Sequence, residues 1–322
     1  MTVIRTLLMA LLVAAMPVAA SAQDWPTRNL RIVVPFPAGG SADTQTRVIA
    51  DELSKALGQP VVVENKPGAG GNIGAAEAAR SQPDGYTLFM ATTGTHASNI
   101  SLYPKLPYDP VKDFAPITLV TVYPQVIVPG LKFKDASLKE IVAQLKAAGD
   151  KGNFGSSGTG SPTHLGGELF KRATGTQMVH VPYRGQGPAL NDMLGGQLDI
   201  MFPSISDVLS FLQGGKLRAV AAMSETRLKQ APDVPTTAEL GYPGFVSSIW
   251  SGLYTNAGTP QPIVDRLNRE LVKIIASPAF KDKFEALGFE VRPSTPQQFV
   301  DFAAAETKRW GDIIKSLNIK AE

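Results

Sequence analysis

Two glycine-rich segments with hydroxyl side chains are the parts of this 322-residue chain best suited to chemistry. The first, residues 38–41, reads Ala-Gly-Gly-Ser, and the second, residues 156–161, reads Ser-Ser-Gly-Thr-Gly-Ser. Each follows an apolar run and precedes a helical pattern, so its backbone N–H groups and the positive end of the helix dipole would attract an anion. A single loop of this kind is more often only a tight turn, with Ser161 as a helix cap. A loop in each half of the chain favours a shared anion site.

Two charged side chains stand next to these loops. Asp43 lies in the first turn of the helix after the first loop, where a carboxylate stabilises the helix dipole; it could also face a ligand and select an amino group. Arg184 follows a short apolar strand, where it could pair with a carboxylate through two hydrogen bonds or remain a solvated surface residue. The sequence leaves both alternatives open.

Catalytic and cofactor motifs are weak in this sequence. Residues 68–74 are glycine-rich, but their spacing departs from G-x-G-x-x-G, and the next strand ends in Thr92 and not in an acidic residue that would hold a ribose. Ser156 or Ser157 with His164 could suggest a nucleophile and a base, yet neither serine stands in a G-x-S-x-G turn. We therefore predict that the protein is not an enzyme and binds no cofactor.

The composition excludes further classes of function. The chain carries 31 Lys and Arg against 28 Asp and Glu without a basic run, so nucleic acid is not an expected partner. It has no cysteine, which excludes thiolate nucleophiles and disulfides. Its three histidines, His96, His164 and His180, are scattered. They leave little for a metal site.

The N-terminus has the features of a secretory signal peptide over residues 1–22. Arg5 precedes an apolar stretch that ends at Pro17, and small residues stand before Gln23 as a cleavage site. A transmembrane anchor would need about 20 apolar residues, and this stretch is too short. We expect a soluble mature protein in the periplasm that begins at Gln23.

The hydrophobic pattern predicts two α/β units in succession. In each, an apolar strand, a glycine-rich loop and a helix are followed by further strands and helices. In the first unit the first strand covers 30–34 and the first helix covers 42–57; in the second unit the run 217–223 is predicted as a strand. Two extended apolar runs, 117–128 and 246–255, are interpreted as crossings between the units. The C-terminal helices 261–275 and 295–317 would then pack on the first unit.

The predicted fold class is α/β with two lobes, each a mainly parallel sheet flanked by helices, joined by two hinge strands. The predicted first lobe comprises residues 23–123 and 247–322, and the second comprises residues 124–246. One continuous ten-stranded sheet is the alternative, which the usual size of domains disfavours.

Several ordered motifs along the mature chain resemble one family. They are residues 31–43 (RIVVPFPAGGSAD), 63–71 (VENKPGAGG), 155–161 (GSSGTGS), 181–185 (VPYRG), 195–197 (GGQ) and 235–237 (PTT). The chain is similar in these motifs to the Bug family of extracytoplasmic solute receptors. These receptors are the substrate-binding components associated with tripartite tricarboxylate transporters.

The resemblance implies a two-lobe periplasmic-binding-protein fold, type II-like, that closes on a small carboxylate such as a dicarboxylate or an aromatic carboxylate. Delivery of that ligand to a membrane transporter is the implied function, and we expect a monomer. Two alternatives stay open: an extracytoplasmic enzyme that acts on a small anionic substrate, and a ligand sensor for a membrane signalling protein.

Carried over motif by motif, the resemblance implies ligand contacts from both lobes. Those of the first lobe would be Phe36, Ala38, Gly39, Gly40, Asp43, Thr92 and Thr93. Those of the second lobe would be Ser156, Thr159, Gly160, His164, Tyr183, Arg184 and Ser204.

Overall fold

The computed structural model describes residues 25–317 and residue 319. The predicted signal peptide, residues 1–22, and the predicted first residue of the mature chain, Gln23, lie outside the described residues. Within the described part of the chain, we find no helix whose length and apolar character would let it cross a membrane.

The described chain alternates between strands and helices. The strands are β1 (Leu30–Val34), β2 (Val61–Asn65), β3 (Thr87–Thr92), β4 (Phe114–Pro124), β5 (Val126–Pro129), β6 (Asn153–Ser156), β7 (Val179–Pro182), β8 (Ile200–Met201), β9 (Ala221–Ala222), β10 (Ser248–Asn256) and β11 (Glu290–Val291). The helices are α1 (Ser41–Leu57), α2 (Asn72–Ala79), α3 (Asn99–Leu102), α4 (Leu138–Ala148), α5 (Pro162–Thr174), α6 (Gln186–Leu194), α7 (Ile205–Gln213), α8 (Gln261–Ile275), α9 (Pro278–Ala286) and α10 (Pro296–Leu317).

The strands form two sheets, one in each lobe. The six-stranded sheet of the first lobe has the order β11-β4-β10-β3-β1-β2, and the five-stranded sheet of the second has the order β7-β6-β8-β5-β9. In the first sheet β1 is parallel to β2 and β3, whereas β10 is antiparallel to β3 and β4. In the second, β6 is parallel to β7 and β8, whereas β5 is antiparallel to β8 and β9. The single-sheet alternative is thereby excluded.

Both sheets are mixed, where the sequence predicts mainly parallel ones. Strands β5 and β10 each begin where the chain crosses from one lobe to the other, and they run away from that crossing. The strands of the βα units run the opposite way, with their C-terminal ends at the crossing. Strands β5 and β10 are therefore antiparallel to the strands of the βα units.

The two crossings between the lobes lie side by side. Strand β4 ends at Pro124 in the first sheet, and β5 begins at Val126 in the second. Between them, the backbone N–H of Gln125 donates to the carbonyl of Ser247, which precedes the returning strand β10. The buried Gln125 side chain also donates to the carbonyl of Phe202, at 2.6 Å. We keep the predicted lobe boundaries as a proposal, which these crossings support.

Alternating residues of the central strands build an apolar core on each face of the first sheet. In β1, Ile32 and Val34 belong to one cluster, and Val33 belongs to the other. Because neighbouring side chains of a strand point to opposite faces, this alternation places helices on both sides. The second sheet repeats the arrangement, with Ile127 in one cluster and Val128 in the other. Each lobe therefore has its own core.

Some elements differ from the sequence prediction in extent. The apolar run 217–223 is predicted as one strand, but only Ala221–Ala222 pair as β9, opposite Ile127 and Val126 of the four-residue strand β5. The pattern analysis does not identify helix α4. Its start carries a clear signal, since Ser137 and Glu140 form a capping box.

Candidate functional site

A cleft of about 470 Å³ lies between the two lobes. The first lobe contributes the loop between β1 and α1 and the end of β3, and the second contributes the starts of α5, α6 and α7. One wall is apolar and includes Tyr123, Ile249 and Phe289 from the first lobe and Leu190 and Phe211 from the second. No lysine or arginine lines this cleft among the described residues.

A second depression, of about 600 Å³, lies on the first lobe alone. Most of its charged side chains form ion pairs: Arg31 Nη1 lies 2.9 Å from Glu64 Oε2 and 3.3 Å from Glu77 Oε1, and Arg28 pairs with Asp84. Because these charges are already balanced and the second lobe contributes nothing to it, this depression does not bring the two glycine-rich loops together.

Four helices begin at the cleft between the lobes. Helices α1 and α6 have glycine N-caps, Gly40 and Gly185, which have no side chain to bond the first N–H groups; in α1 only the Ser41 N–H is bonded within the described chain, by Asp207 of the other lobe. Helices α5 and α7 are capped by Ser161 and Ser204, which accept hydrogen bonds from the backbone three residues on. The free N–H groups and positive dipole ends of α1 and α6 leave the cleft suited to an anion without a cationic side chain.

The first-lobe loop is held in shape by Asp43, which is buried. Its Oδ2 accepts hydrogen bonds from the Gly39 N–H and from Arg47 Nε, both at 2.9 Å, and its Oδ1 accepts one from Asn65 Nδ2 at 3.0 Å. Burial by itself raises the pKa of Asp43, but the hydrogen bonds from Arg47, Gly39 and Asn65 outweigh it and lower the pKa. Asp43 thus braces the loop, whereas Phe36, Ala38, Gly39 and Gly40 line the cleft.

We expect the Asp43→Asn variant to lose about 1–3 kcal/mol of unfolding free energy at neutral pH, because an amide cannot satisfy the same donors. Since the folded-state pKa of Asp43 is lowered, its contribution is present above the unfolded-state pKa and is lost as the pH falls through the folded-state value. Urea denaturation should therefore show a gap between wild type and variant above about pH 5 that closes in more acidic solution.

The matched control for this prediction is Asp51→Asn, which removes an exposed carboxylate from the same helix. Its ion pair with Lys55 is solvent-screened, so the variant should unfold close to the wild type. A pH-independent gap for Asp43→Asn would contradict the role of its ionised form.

The second-lobe loop is organised by two stacked histidines. The rings of His164 and His180 lie 3.9 Å apart, and Gly160 N donates to His164 Nδ1 at 3.2 Å. Burial lowers the pKa of His164 to about 3 and that of His180 to about 4. Both rings are therefore neutral near pH 7, and His164 serves as an acceptor for the loop.

Ser156 and His180 are close enough to suggest a nucleophile and a base. Ser156 Oγ lies 2.6 Å from His180 Nε2. Ser156 is fully buried, however, and neither residue lines the cleft. Its hydroxyl instead accepts a hydrogen bond from Gly158 N, at 3.1 Å, so this pair shapes the loop.

The end of strand β3 contributes two threonines with different roles. Thr92 lines the cleft, and its buried hydroxyl has no hydrogen-bond partner among the described residues. The Thr93 hydroxyl accepts a hydrogen bond from the backbone N–H of Trp250, at 2.8 Å, and so ties β3 to β10. Thr92 therefore has an unused hydroxyl in the wall of the cleft, whereas the Thr93 hydroxyl is occupied.

The remaining second-lobe residues of the sequence prediction lie around the cleft and do not line it. The Thr159 carbonyl accepts a hydrogen bond from Tyr103 of the first lobe, at 3.1 Å. The Tyr183 hydroxyl donates to Asp192 Oδ2, at 2.7 Å, and Arg184 is exposed. They support or flank the loops that meet there, as does the cap Ser204.

A polar cluster joins the lobes at the starts of α1 and α7. The hydroxyl of Ser41, in the first lobe, lies 3.0 Å from those of Ser204 and Ser206 in the second. Asp207 Oδ1 accepts hydrogen bonds from the Ser41 hydroxyl and from the Ser41 N–H, the latter at 3.1 Å, and Asp207 Oδ2 accepts one from Ser204 Oγ at 2.7 Å. The cleft is thus closed at this end by direct contact between the lobes.

Sequence reasoning missed Gln186 and Asp207, which both line the cleft. Gln186 is more than nine-tenths buried, and neither atom of its amide has a hydrogen-bond partner among the described residues. It directly follows Gly185, so the glycine N-cap was the available signal. Asp207 stands three residues after Ser204, the spacing of a helix cap with an acidic third residue.

The described side chains show no group of three or more His, Asp or Glu residues that could hold a metal ion. The site consists of backbone donors, hydroxyls, the side-chain amides of Gln186 and Asn191, one carboxylate and an apolar wall. Such a set can bind and orient a small anion.

A family model described as "Tripartite tricarboxylate transporter family receptor" matches residues 45–319. The chain belongs to this receptor family. Protein BugT of Bordetella pertussis (strain Tohama I) is 39% identical over 308 residues, which cover 95% of this chain and 94% of BugT. The predicted resemblance to the Bug family is confirmed.

Two solved structures are similar to this receptor over almost their whole length. Rpa4515 of R. palustris with adipate has 32% identity and a TM-score of 0.89, covering 92% of this chain and 99% of that chain. MatC (Rpa3494) from Rhodopseudomonas palustris with bound malate has 36% identity and a TM-score of 0.86, covering 90% of this chain and 100% of that chain. The predicted two-lobe fold of the receptor is confirmed.

Proposed function

We propose that this receptor captures a small carboxylate between its lobes in the periplasm and presents it, unchanged, to a membrane transporter. The observation that carries the proposal is the start of two helices without side-chain caps, α1 and α6, at one cleft between the lobes. Their backbone N–H groups are donors that fit the oxygens of a carboxylate. The adipate and malate in the two similar structures support this class of ligand.

The proposed ligand contacts are those predicted residues that line the cleft, namely Phe36, Ala38, Gly39, Gly40 and Thr92, together with Gln186. The other predicted residues would act indirectly. Asp43, Ser156, Gly160 and His164 shape the two glycine-rich loops, Thr93 and Ser204 hold neighbouring strand and helix ends, and Thr159, Tyr183 and Arg184 flank the cleft.

An extracytoplasmic enzyme is the rival function, and the geometry does not favour it. An enzyme would need an acid, a base or a nucleophile positioned at the bound substrate. The titratable side chains that line the cleft are Tyr123 and Asp207. Burial raises the pKa of the Tyr123 hydroxyl, which therefore keeps its proton near pH 7. The two oxygens of Asp207 are already engaged by Ser41 and Ser204, so this carboxyl group is not free to act on a substrate.

The experiment that tests this function begins with the full-length chain, expressed with its own N-terminus and purified gently from the periplasmic fraction. Native mass spectrometry should find one small carboxylate per chain. After removal of that ligand by unfolding and refolding, calorimetry should show that adding it back restores binding with one site per monomer. Mass spectrometry of the ligand recovered after prolonged incubation should show it unaltered.

Three results would overturn the proposal. The first is a protein that stays in the cytoplasm and still carries residues 1–22. The second is a recovered ligand that has been converted into a product. The third is a refolded protein that binds no carboxylate. Adipate, malate and their singly charged analogues serve as the reference set for the last of these.

A further inference from the structure

Asp207 is a carboxylate that the protein itself places inside the anion-binding cleft. It is the third residue of α7 in the second lobe, and its two oxygens accept hydrogen bonds from Ser41 of the first lobe and from Ser204. The Ser41 N–H belongs to the first turn of α1, one of the helix ends without a side-chain cap. One backbone N–H donor at the start of α1, that of Ser41, is therefore already bonded to Asp207.

Within the described chain, the cleft has no cationic side chain that could balance the carboxylate of Asp207. Among the described residues that line the cleft, Asp207 is the only acidic one, and none is a lysine or an arginine. A sphere of about 470 Å³ is roughly 10 Å across, so a ligand carboxylate anywhere inside lies within the range at which like charges repel through a medium of low dielectric constant. Burial is the largest cause of a net rise in the pKa of Asp207, and the hydrogen bonds from Ser41 and Ser204, which lower the pKa, offset only part of it. Both oxygens of Asp207 nevertheless accept hydrogen bonds, as the oxygens of an ionised carboxylate do.

Two polar side chains of the cleft lining carry hydrogen-bonding groups without a partner in the described chain. Gln186, at the uncapped start of α6, and Thr92, at the end of β3, are both more than nine-tenths buried and lack hydrogen-bond partners among the described residues. An unpartnered buried amide is costly unless a ligand completes its hydrogen bonds. The apolar wall around Ile249 and Phe289 can cover the uncharged remainder of such a ligand.

We propose that Asp207 determines the charge class of the ligand: it excludes a second carboxylate, so that this receptor selects monocarboxylates with an uncharged body over dicarboxylates. This inference rests on the proposed function and narrows it. One carboxylate binds at the start of α6 with Gln186 and Thr92, and the position at the start of α1 and α7 is filled by the receptor's own carboxylate.

The test compares ligands that differ by one charge and little else. Calorimetry on refolded, ligand-free wild type should give at least about tenfold tighter binding of monomethyl adipate than of adipate. The Asp207→Asn variant keeps an oxygen for the Ser41 donors but removes the charge. In this variant, the affinity for adipate relative to that for monomethyl adipate should rise by about ten- to a hundredfold. The pair of succinate and monomethyl succinate repeats the comparison at shorter length.

Asp199→Asn is the matched control, because Asp199 is a largely buried carboxylate of the same lobe outside the cleft, where it accepts a hydrogen bond from Asn153 N. This variant should leave both ligand ratios unchanged. Thermal melts should show that the Asp207 variant folds; if it does not, Asp207→Ser takes its place, and the wild-type ratios still test the inference.

Wild-type preference for either dicarboxylate, or unchanged ratios in the Asp207 variant, would overturn the role of Asp207 and leave the proposed function standing. Absence of binding for every member of both pairs, in wild type and variant alike, would instead overturn the proposed function itself.

Discussion

Replacing Gly40 by leucine is expected to weaken carboxylate binding by at least about a hundredfold while the protein still folds. Gly40 lines the cleft as the N-cap of α1, and its backbone, at φ −82° and ψ 172°, is extended and open to any residue. A Cβ added there would meet no atom nearer than the Pro37 carbonyl, at 3.8 Å. A leucine side chain would therefore extend into the cleft beside the first-lobe loop, without backbone strain, and take up space that the ligand needs.

The matched control is Gly40→Ala, which removes the glycine cap equally but adds only one carbon. Both variants should lose a similar amount of unfolding free energy, about 0.5–2 kcal/mol at most, because neither side chain can cap a helix. Calorimetry with the native ligand measures the difference between them. Equal affinity of Gly40→Leu and wild type would mean that no part of the ligand lies against the first-lobe loop, and would remove that loop from the site.

Neighbouring glycines would give a less clear answer. Gly39 and Gly160 have φ values of +84° and +80°, in the left-handed region that favours glycine. A branched residue at either position would strain the backbone whatever the ligand does, so a loss of binding there would not separate a blocked site from a distorted loop.

Replacing Trp250 by alanine is expected to lower the unfolding free energy by about 3–5 kcal/mol, the usual cost of removing a fully buried large aromatic side chain. Trp250 lies on β10 and packs edge-on against Phe299 and Phe302 of α10, with ring centroids 5.7 Å apart in both pairs. Its indole N–H has no partner among the described residues, so the loss would come from packing and not from a hydrogen bond.

Urea denaturation followed by circular dichroism measures this loss, with Trp250→Phe as the control that keeps an aromatic ring at the site. The phenylalanine variant should lose clearly less stability than the alanine variant. A loss below about 1 kcal/mol for Trp250→Ala would mean that α10 does not depend on this contact with the returning strand.

The sequence by itself determined the elements of the first unit and the family. The run Leu30–Val34 and the helix Gln261–Ile275 were predicted with the bounds that the structure shows, because strong apolar periodicity and Gly or Pro boundaries are local signals. Both glycine-rich loops singled out from the sequence contribute to the cleft, the first with residues 38–41 and the second with Ser157.

Only the tertiary structure decided which side chains face the cleft. Asp43 and Ser156 have the chemistry of ligand-binding residues, yet each is turned to its own loop, and Asp207 reaches Ser41 across 166 positions of the chain. Gln186 became a candidate only when its buried amide was found without a partner in the described chain. The direction of a polar side chain depends on which donors and acceptors other segments bring beside it, and that information is not contained in local sequence patterns.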